Sequence, residues 1–284
     1  MNGPRPDGLR LVGPGSQPDE GPELEYLEMP QGMFTHELVH RPEPEELAAA
    51  PQARRILETV LAALEAGAHT EGRCMSLEGL ENADHALLHG LLGEGEVAVN
   101  FEAPDRRLQA QETILTGVWW VREVDARGRP LHEALEVGAV PRCVRRESFS
   151  GDRRISFDPD AAPPGVQNGP ALLAEIAEHL AARRAGDPVH VINLTLLPVT
   201  AEDLAYVGER LGVGPTTLLS RGYGNCRIGA TAKEPVWWVK YFNSQEKLIL
   251  NTIEIVEVPA VAQAAREDFE DSARRLAEIL ELTR

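Results

Sequence analysis

Apolar residues recur at helical spacing from about residue 51, where Ile56, Val60, Leu61 and Leu64 fall three or four apart on one face. A second such stretch spans 170–184. Beyond it, 189–197 reads as a buried strand, and Thr200-Ala-Glu-Asp203 sets a capping hydroxyl three positions ahead of an acid, a pattern that opens a helix to about Leu211. Gly212 and Gly214 close that helix. Strands follow at 216–219, 226–231, 236–242 and 247–258, with Asn243-Ser-Gln-Glu246 as a hairpin turn, so this half reads as an antiparallel meander backed by helices. In the tail, Ala265, Phe269, Leu276, Ile279 and Leu280 share one helical face, enough for a helix docked on its own sheet or on a partner.

The pattern is repeated. Residues 57–96 align without gaps on 176–215 at an offset of 119 with 11 identities in 40 positions, among them Leu61/Leu180, Gly67/Gly186, Asp84/Asp203 and Leu92/Leu211. A slip of one residue then brings 118–141 onto 236–259 with 7 identities in 24, led by Val-Trp-Trp-Val in both copies. The chain has only four tryptophans, so two such pairs at matching distance from a shared Leu-Gly point to a tandem duplication. A period near 118 is too long for a solenoid unit. The expected fold is therefore α+β: two copies of an α/antiparallel-β unit packed about a pseudo-twofold axis. The expected organisation is a flexible acidic Pro/Gly-rich arm over 1–50, a first repeat over 51–141, an exposed Arg-rich linker over 142–168, and a second repeat with its C-terminal helix over 169–284.

Composition narrows the partners. The 284 residues carry 28 Lys+Arg against 45 Asp+Glu, a net charge of −17, which repels phosphate backbones and anionic lipid headgroups. Nucleic acid and membrane insertion are not expected, and no apolar run reaches the roughly 18 residues of a membrane span. A basic partner would suit the field. Cys74, Cys143 and Cys226 are odd in number and form no CxxC, so a reducing cytoplasmic compartment is expected.

Four features offer chemistry. His36-Glu-Leu-Val-His40 is a literal HExxH, the spacing at which a helix presents two imidazoles to zinc with Glu37 as general base. Arg41-Pro42-Glu43-Pro44 stops a helix directly after it, because proline removes an amide donor and restricts the residue before it. His85 and His89 lie four apart on a predicted helix, a second possible metal pair, but Leu204 and Gly208 replace them in the other copy and no third ligand is evident. Arg221-Gly-Tyr-Gly-Asn-Cys-Arg227 joins two strands through glycines that could leave Arg221, Tyr223, Cys226 and Arg227 on an accessible edge. Finally, neighbouring strand residues point to opposite faces. One Trp of each pair is then core, and the other fills the seam between copies or anchors a partner, which makes Trp119, Trp237 and Trp238 contact candidates.

Arg221-Gly-Tyr-Gly-Asn-Cys-Arg-Ile228, Val236-Trp-Trp-Val-Lys-Tyr-Phe-Asn-Ser244, the run from Leu248 to Pro259 and Glu267-Asp-Phe-Glu-Asp-Ser272 together resemble hydrogenase expression/formation proteins of the HupH/HyaF type. The resemblance covers about 170–284 most fully and 51–141 more weakly. It implies a non-enzymatic cytoplasmic accessory protein that acts on the iron–sulfur small-subunit precursor of an uptake [NiFe] hydrogenase before export, beside a thioredoxin-like chaperone. It carries over no catalytic residue and no resident cofactor. Two alternatives remain: a cluster-handling role in which Cys226, with Cys74, transiently ligates iron, and a zinc hydrolase at His36, Glu37 and His40.

Overall fold

The computed structural model describes residues 44–67, 72–221 and 225–281. In the first half, α1 (Pro44–Ala49) and α2 (Pro51–Glu65) precede β1 (Arg73–Ser76), α3 (Asn82–Leu92), β2 (Val97–Glu102), β3 (Arg106–Glu112), β4 (Val118–Asp125), β5 (Pro130–Val137) and α4 (Arg142–Glu147). The second half runs α5 (Gly169–Ala182), β6 (His190–Asn193), α6 (Ala201–Leu211), β7 (Thr216–Ser220), β8 (Asn225–Ala230), β9 (Val236–Phe242), β10 (Leu248–Ile255) and α7 (Arg266–Glu281). From α2 and from α5 the order is the same: helix, strand, helix, four strands.

All ten strands form one antiparallel sheet in the order β1-β5-β4-β3-β2-β7-β8-β9-β10-β6. Matched strand for strand, the order reads alike from either edge. The halves meet where β2 pairs with β7, with Val99 opposite Leu218. They are thus joined by a backbone ladder rather than as two separately closed units.

Partners across strands share a face, and the chain of pairs Trp120–Gln111–Ala98–Leu219–Arg227–Lys240 runs across the middle of the sheet. Trp120 and Trp238 therefore lie on the same face. There α2, α3 and α7 enclose a core around Leu57, Leu88, Trp120, Phe269 and Leu276, while α5 and α6 enclose a second around Ile176, Leu194, Val207 and Trp238. The opposite face carries a third core that spans both halves and holds Trp119, Leu218, Ile228 and Trp237. All four tryptophans are buried because the sheet is covered on both faces. Their indoles are satisfied in matching ways: Trp119 Nε1 donates to Gly138 O and Trp237 Nε1 to Val256 O, while Trp120 and Trp238 donate to the side chains of Glu133 and Asn251.

Asp84 and Asp203 are buried at equivalent positions on α3 and α6. Asp84 Oδ1 accepts the Ala53 amide near the start of α2. Asp203 does more: Oδ1 accepts the amides of Gln167, Asn168 and Gly169, each at 2.8 Å, while Oδ2 accepts Thr200 N as the second arm of the capping box. One carboxylate thus ties the start of α5 to the start of α6.

Several sequence expectations are corrected. The expected arm over 1–50 ends in α1, and Leu47 and Ala50 are buried against the first-half core. The expected exposed linker over 142–168 begins with α4, whose Cys143 and Val144 cover the third core; its basic side chains project outward from a short amphipathic turn. The strand expected over 189–197 is confined to His190–Asn193, after which Thr195 N donates to Asn193 Oδ1 and turns the chain away. No helix among the described residues is long and apolar enough to cross a membrane.

Candidate functional site

The Gly-rich connection between β7 and β8 places its residues unequally. Arg221 is exposed, its amide donating to Glu96 O. Arg227 is half-buried, with its guanidinium 4.8 Å from the centre of the Phe242 ring. Tyr223 lies outside the described residues, as do His36, Glu37 and His40.

Cys226 does not lie on an accessible edge. It alternates inward on β8, is 3% exposed, and packs in the third core opposite Tyr241. Burial pushes its thiol up to about 12, against a hydrogen bond with Tyr241, and the nearby Glu254 carboxylate adds to the rise. Such a group keeps its proton at neutral pH, whereas metal ligation uses the thiolate. Cys74 sits on the edge strand β1, six strand spacings away, roughly 29 Å at the usual inter-strand distance. Cys226 and Cys74 cannot share one ion. Cys143 is likewise buried and pushed up to about 12. Under native conditions we expect iodoacetamide to label Cys74 first, with Cys143 and Cys226 labelled only as the chain unfolds. Time-resolved alkylation read by mass spectrometry checks this, and rapid native labelling of Cys226 would contradict its placement.

Trp119, Trp237 and Trp238 cannot anchor a partner directly, since each is at most 4% exposed. They are core residues. His85 and His89 both stand edge-on to Trp120, at 5.3 and 5.4 Å between ring centres, and His85 Nε2 lies 3.1 Å from Glu133 Oε2. Burial would raise the Glu133 carboxyl, but hydrogen bonds from Arg122, Trp120 and His85 outweigh it and hold the group at about 2. His85 is engaged in a local polar network around Trp120, and no group of three ligating side chains among the described residues includes it or His89.

The least protected part of the sheet is its β6 end. β6 is the last strand of the sheet and its outer edge has no neighbouring strand among the described residues. Of the eight large apolar side chains exposed among those residues, six gather here: Val189, Val191, Leu196, Leu197, Leu248 and Ile249. An open strand edge flanked by exposed aliphatic groups is the geometry on which an extended peptide adds as a further strand. It also lies on the half to which the family resemblance is strongest.

On the helix side of the same edge, Glu175 and His179 project from α5 one turn apart, and His190 rises from β6 beneath them. His190 Nε2 lies 2.9 Å from Glu175 Oε1, and the two imidazoles stack at 3.4 Å between centres and 21° between planes. One potential ligand atom from each residue lies within 4.8 Å of the other two. Nothing in the local sequence pairs His190 with the helix, so only the Glu-x3-His spacing hinted at this cluster.

A profile described as the C-terminal conserved region of the HupH hydrogenase expression protein matches residues 49–149 and 166–283, one stretch in each half. The chain is 43% identical over 271 residues to the hydrogenase expression/formation protein HoxQ of Cupriavidus necator, covering 95% of both chains. It is 44% identical to the hydrogenase expression/formation protein HupH of Rhodobacter capsulatus, covering 96% of both, and 31% identical to the hydrogenase-1 operon protein HyaF of Escherichia coli, covering 95% of both.

Proposed function

The chain belongs to the HupH family of hydrogenase expression/formation proteins, and from that premise we propose that it is a non-catalytic assembly factor that binds a hydrogenase component before that component is exported. The client we assign is the iron–sulfur small-subunit precursor of a [NiFe] hydrogenase, met in the cytoplasm beside a thioredoxin-like chaperone. Family membership across both halves carries the reading. Two physical features support it: the net charge of −17 favours a client whose export signal contains paired arginines, and the open β6 edge with its aliphatic rim suits an extended segment. We also take the repeated order of elements as an internal duplication in which the β6 end has been specialised while the β1 end has not. Arg221, Arg227 and Tyr223 remain contact candidates from the Gly-rich stretch of the sequence.

An anaerobic pull-down from cells expressing the hydrogenase genes tests both levels. We expect the wild-type chain to recover the small-subunit precursor, and Val191→Asp combined with Leu196→Asp to reduce that recovery at least about tenfold, since both side chains are substantially exposed at 46% and 80% and neither supports the core. Leu131→Asp, at the opposite end, is the control. Recovery of no hydrogenase component by the wild type would overturn the client-binding reading. Undiminished recovery by the double variant would leave that reading standing and remove the β6 end from it.

A further inference from the structure

We propose that Glu175, His179 and His190 form a binding site for a divalent first-row transition-metal ion, on the helix side of the β6 edge.

Two imidazoles and one carboxylate are a ligand set suited to zinc, cobalt, nickel or ferrous iron rather than to calcium or magnesium, which take oxygen ligands. The spacing fits. Adjacent ligands around an ion with bonds of about 2.1 Å stand about 3 to 3.4 Å apart, by the geometry of octahedral and tetrahedral shells. His190 Nε2 and Glu175 Oε1 are already 2.9 Å apart, and every pair of ligand atoms lies within 4.8 Å. Rotation about the soft terminal torsions of the two histidines and the glutamate closes the remainder. The backbone is firm beneath them, since His190 pairs with Ile255 and α5 packs on the second-half core through Leu172, Leu173, Ile176 and Leu180.

The site is also not something the fold requires. At the positions aligned with Glu175 and His179 the first half has Ile56 and Val60, which pack in its core. The strand position matching His190 is Arg73, which pairs with Val137 as His190 pairs with Ile255, so none of the three positions offers a metal ligand there. In the second half, one helix face has gained two ligating groups opposite a third on the strand. The side chains are half-exposed, at 28% for His190 and 43% for Glu175, so a shell of three protein ligands would leave its remaining position open to solvent or to a donor from another molecule. That makes it an accessible, exchangeable site rather than a closed structural one. It stands independently of the client-binding reading.

The test uses untagged full-length protein, stripped with a chelator and titrated with Co²⁺ while the visible d–d absorption is followed, then with Zn²⁺ in competition. We expect one Co²⁺ per chain, displaced by Zn²⁺, and affinity weakened about 100-fold in His190→Ala and in Glu175→Gln, the latter chosen because it preserves shape. Unchanged far-UV circular dichroism establishes that the variants are folded. The His36→Ala/His40→Ala and His85→Ala variants should bind as the wild type does. Absence of a stoichiometric absorption band would mean that Glu175 and His190 form an ion pair only, and would overturn the proposal. So would a band that survives His179→Ala/His190→Ala but disappears in His36→Ala/His40→Ala.

Discussion

Asp203→Ala should destabilise the protein by about 4 kcal/mol, because it removes the acceptor of four backbone amides that have no other acceptor among the described residues. A single neutral hydrogen bond contributes about 1 kcal/mol, whereas a buried donor left unmet costs about 1 to 3 kcal/mol. Four donors to one buried carboxylate, the Gly169 amide buried and those of Gln167, Asn168 and Thr200 part-buried, together with two helix starts, therefore place this substitution near the top of the usual range for a point mutation. Against a total stability of about 5 to 15 kcal/mol, that is a large share. Asp203→Asn keeps an acceptor oxygen but loses the charge, and should cost about half as much. Asp84→Ala removes one amide contact, from Ala53 N, and should fall below both. Urea unfolding of the three variants gives the ranking. Equal costs for Asp84→Ala and Asp203→Ala would mean that the extra bonds at the start of α5 contribute nothing.

The pH dependence has a definite sign. Burial would raise the Asp203 carboxyl, but the bonds from Thr200, Gly169, Gln167 and Asn168 outweigh it and hold the group below its ordinary value. A carboxylate depressed in the folded state contributes stability above its unfolded pKa, and that contribution is lost as pH falls through the folded value. The gap between wild type and Asp203→Ala should therefore narrow in acid.

How far these features could be read from the chain differs with their range. The capping box at Thr200 and Asp203 is local, and the sequence pattern located it correctly because both partners lie within one helical turn. The second task of the same carboxylate, holding the start of α5 some 35 residues earlier, depends on how two helices meet and leaves no local mark. The tryptophan pairs behaved similarly. Strand alternation sent Trp119 and Trp120 to opposite faces, but alternation cannot say whether a second layer covers the far face. Here it does, so residues that looked like candidate anchors are core. The burial of Cys143 is not legible in the sequence because α4 is six residues long and half arginine, too short to show a helical period. The Glu175–His179–His190 cluster was missed for the same reason as the α5 clamp: one ligand arrives on a different element.

The other large effect is expected at Glu112, where the two halves differ in charge rather than in shape. Thr113 N donates to Val118 O, and Thr231 N to Val236 O, so the two turns are equivalent and Glu112 stands where the second half has a buried Ala230. Burial pushes the Glu112 carboxyl up to about 7, with the charges of Glu96 and Asp268 adding to the rise and the amides of Gly117 and Val97 opposing it. Since the unfolded chain titrates near 4.5, the folded state holds the extra proton between those values. Stability from this group is then full below pH 4.5 and is lost as pH rises through 7, by about 3 kcal/mol at 1.36 kcal/mol per unit. Glu112→Gln keeps an acceptor for Gly117 N, which Oε1 now receives at 3.2 Å, and removes the titration. The variant should therefore match the wild type at pH 4.5 and exceed it by up to about 3 kcal/mol at pH 8, as read by urea unfolding at the two pH values. Parallel stability profiles would show that the buried carboxylate ionises without penalty. In the expected case the gain appears only where the wild-type side chain is charged, which a simple improvement in packing would not produce.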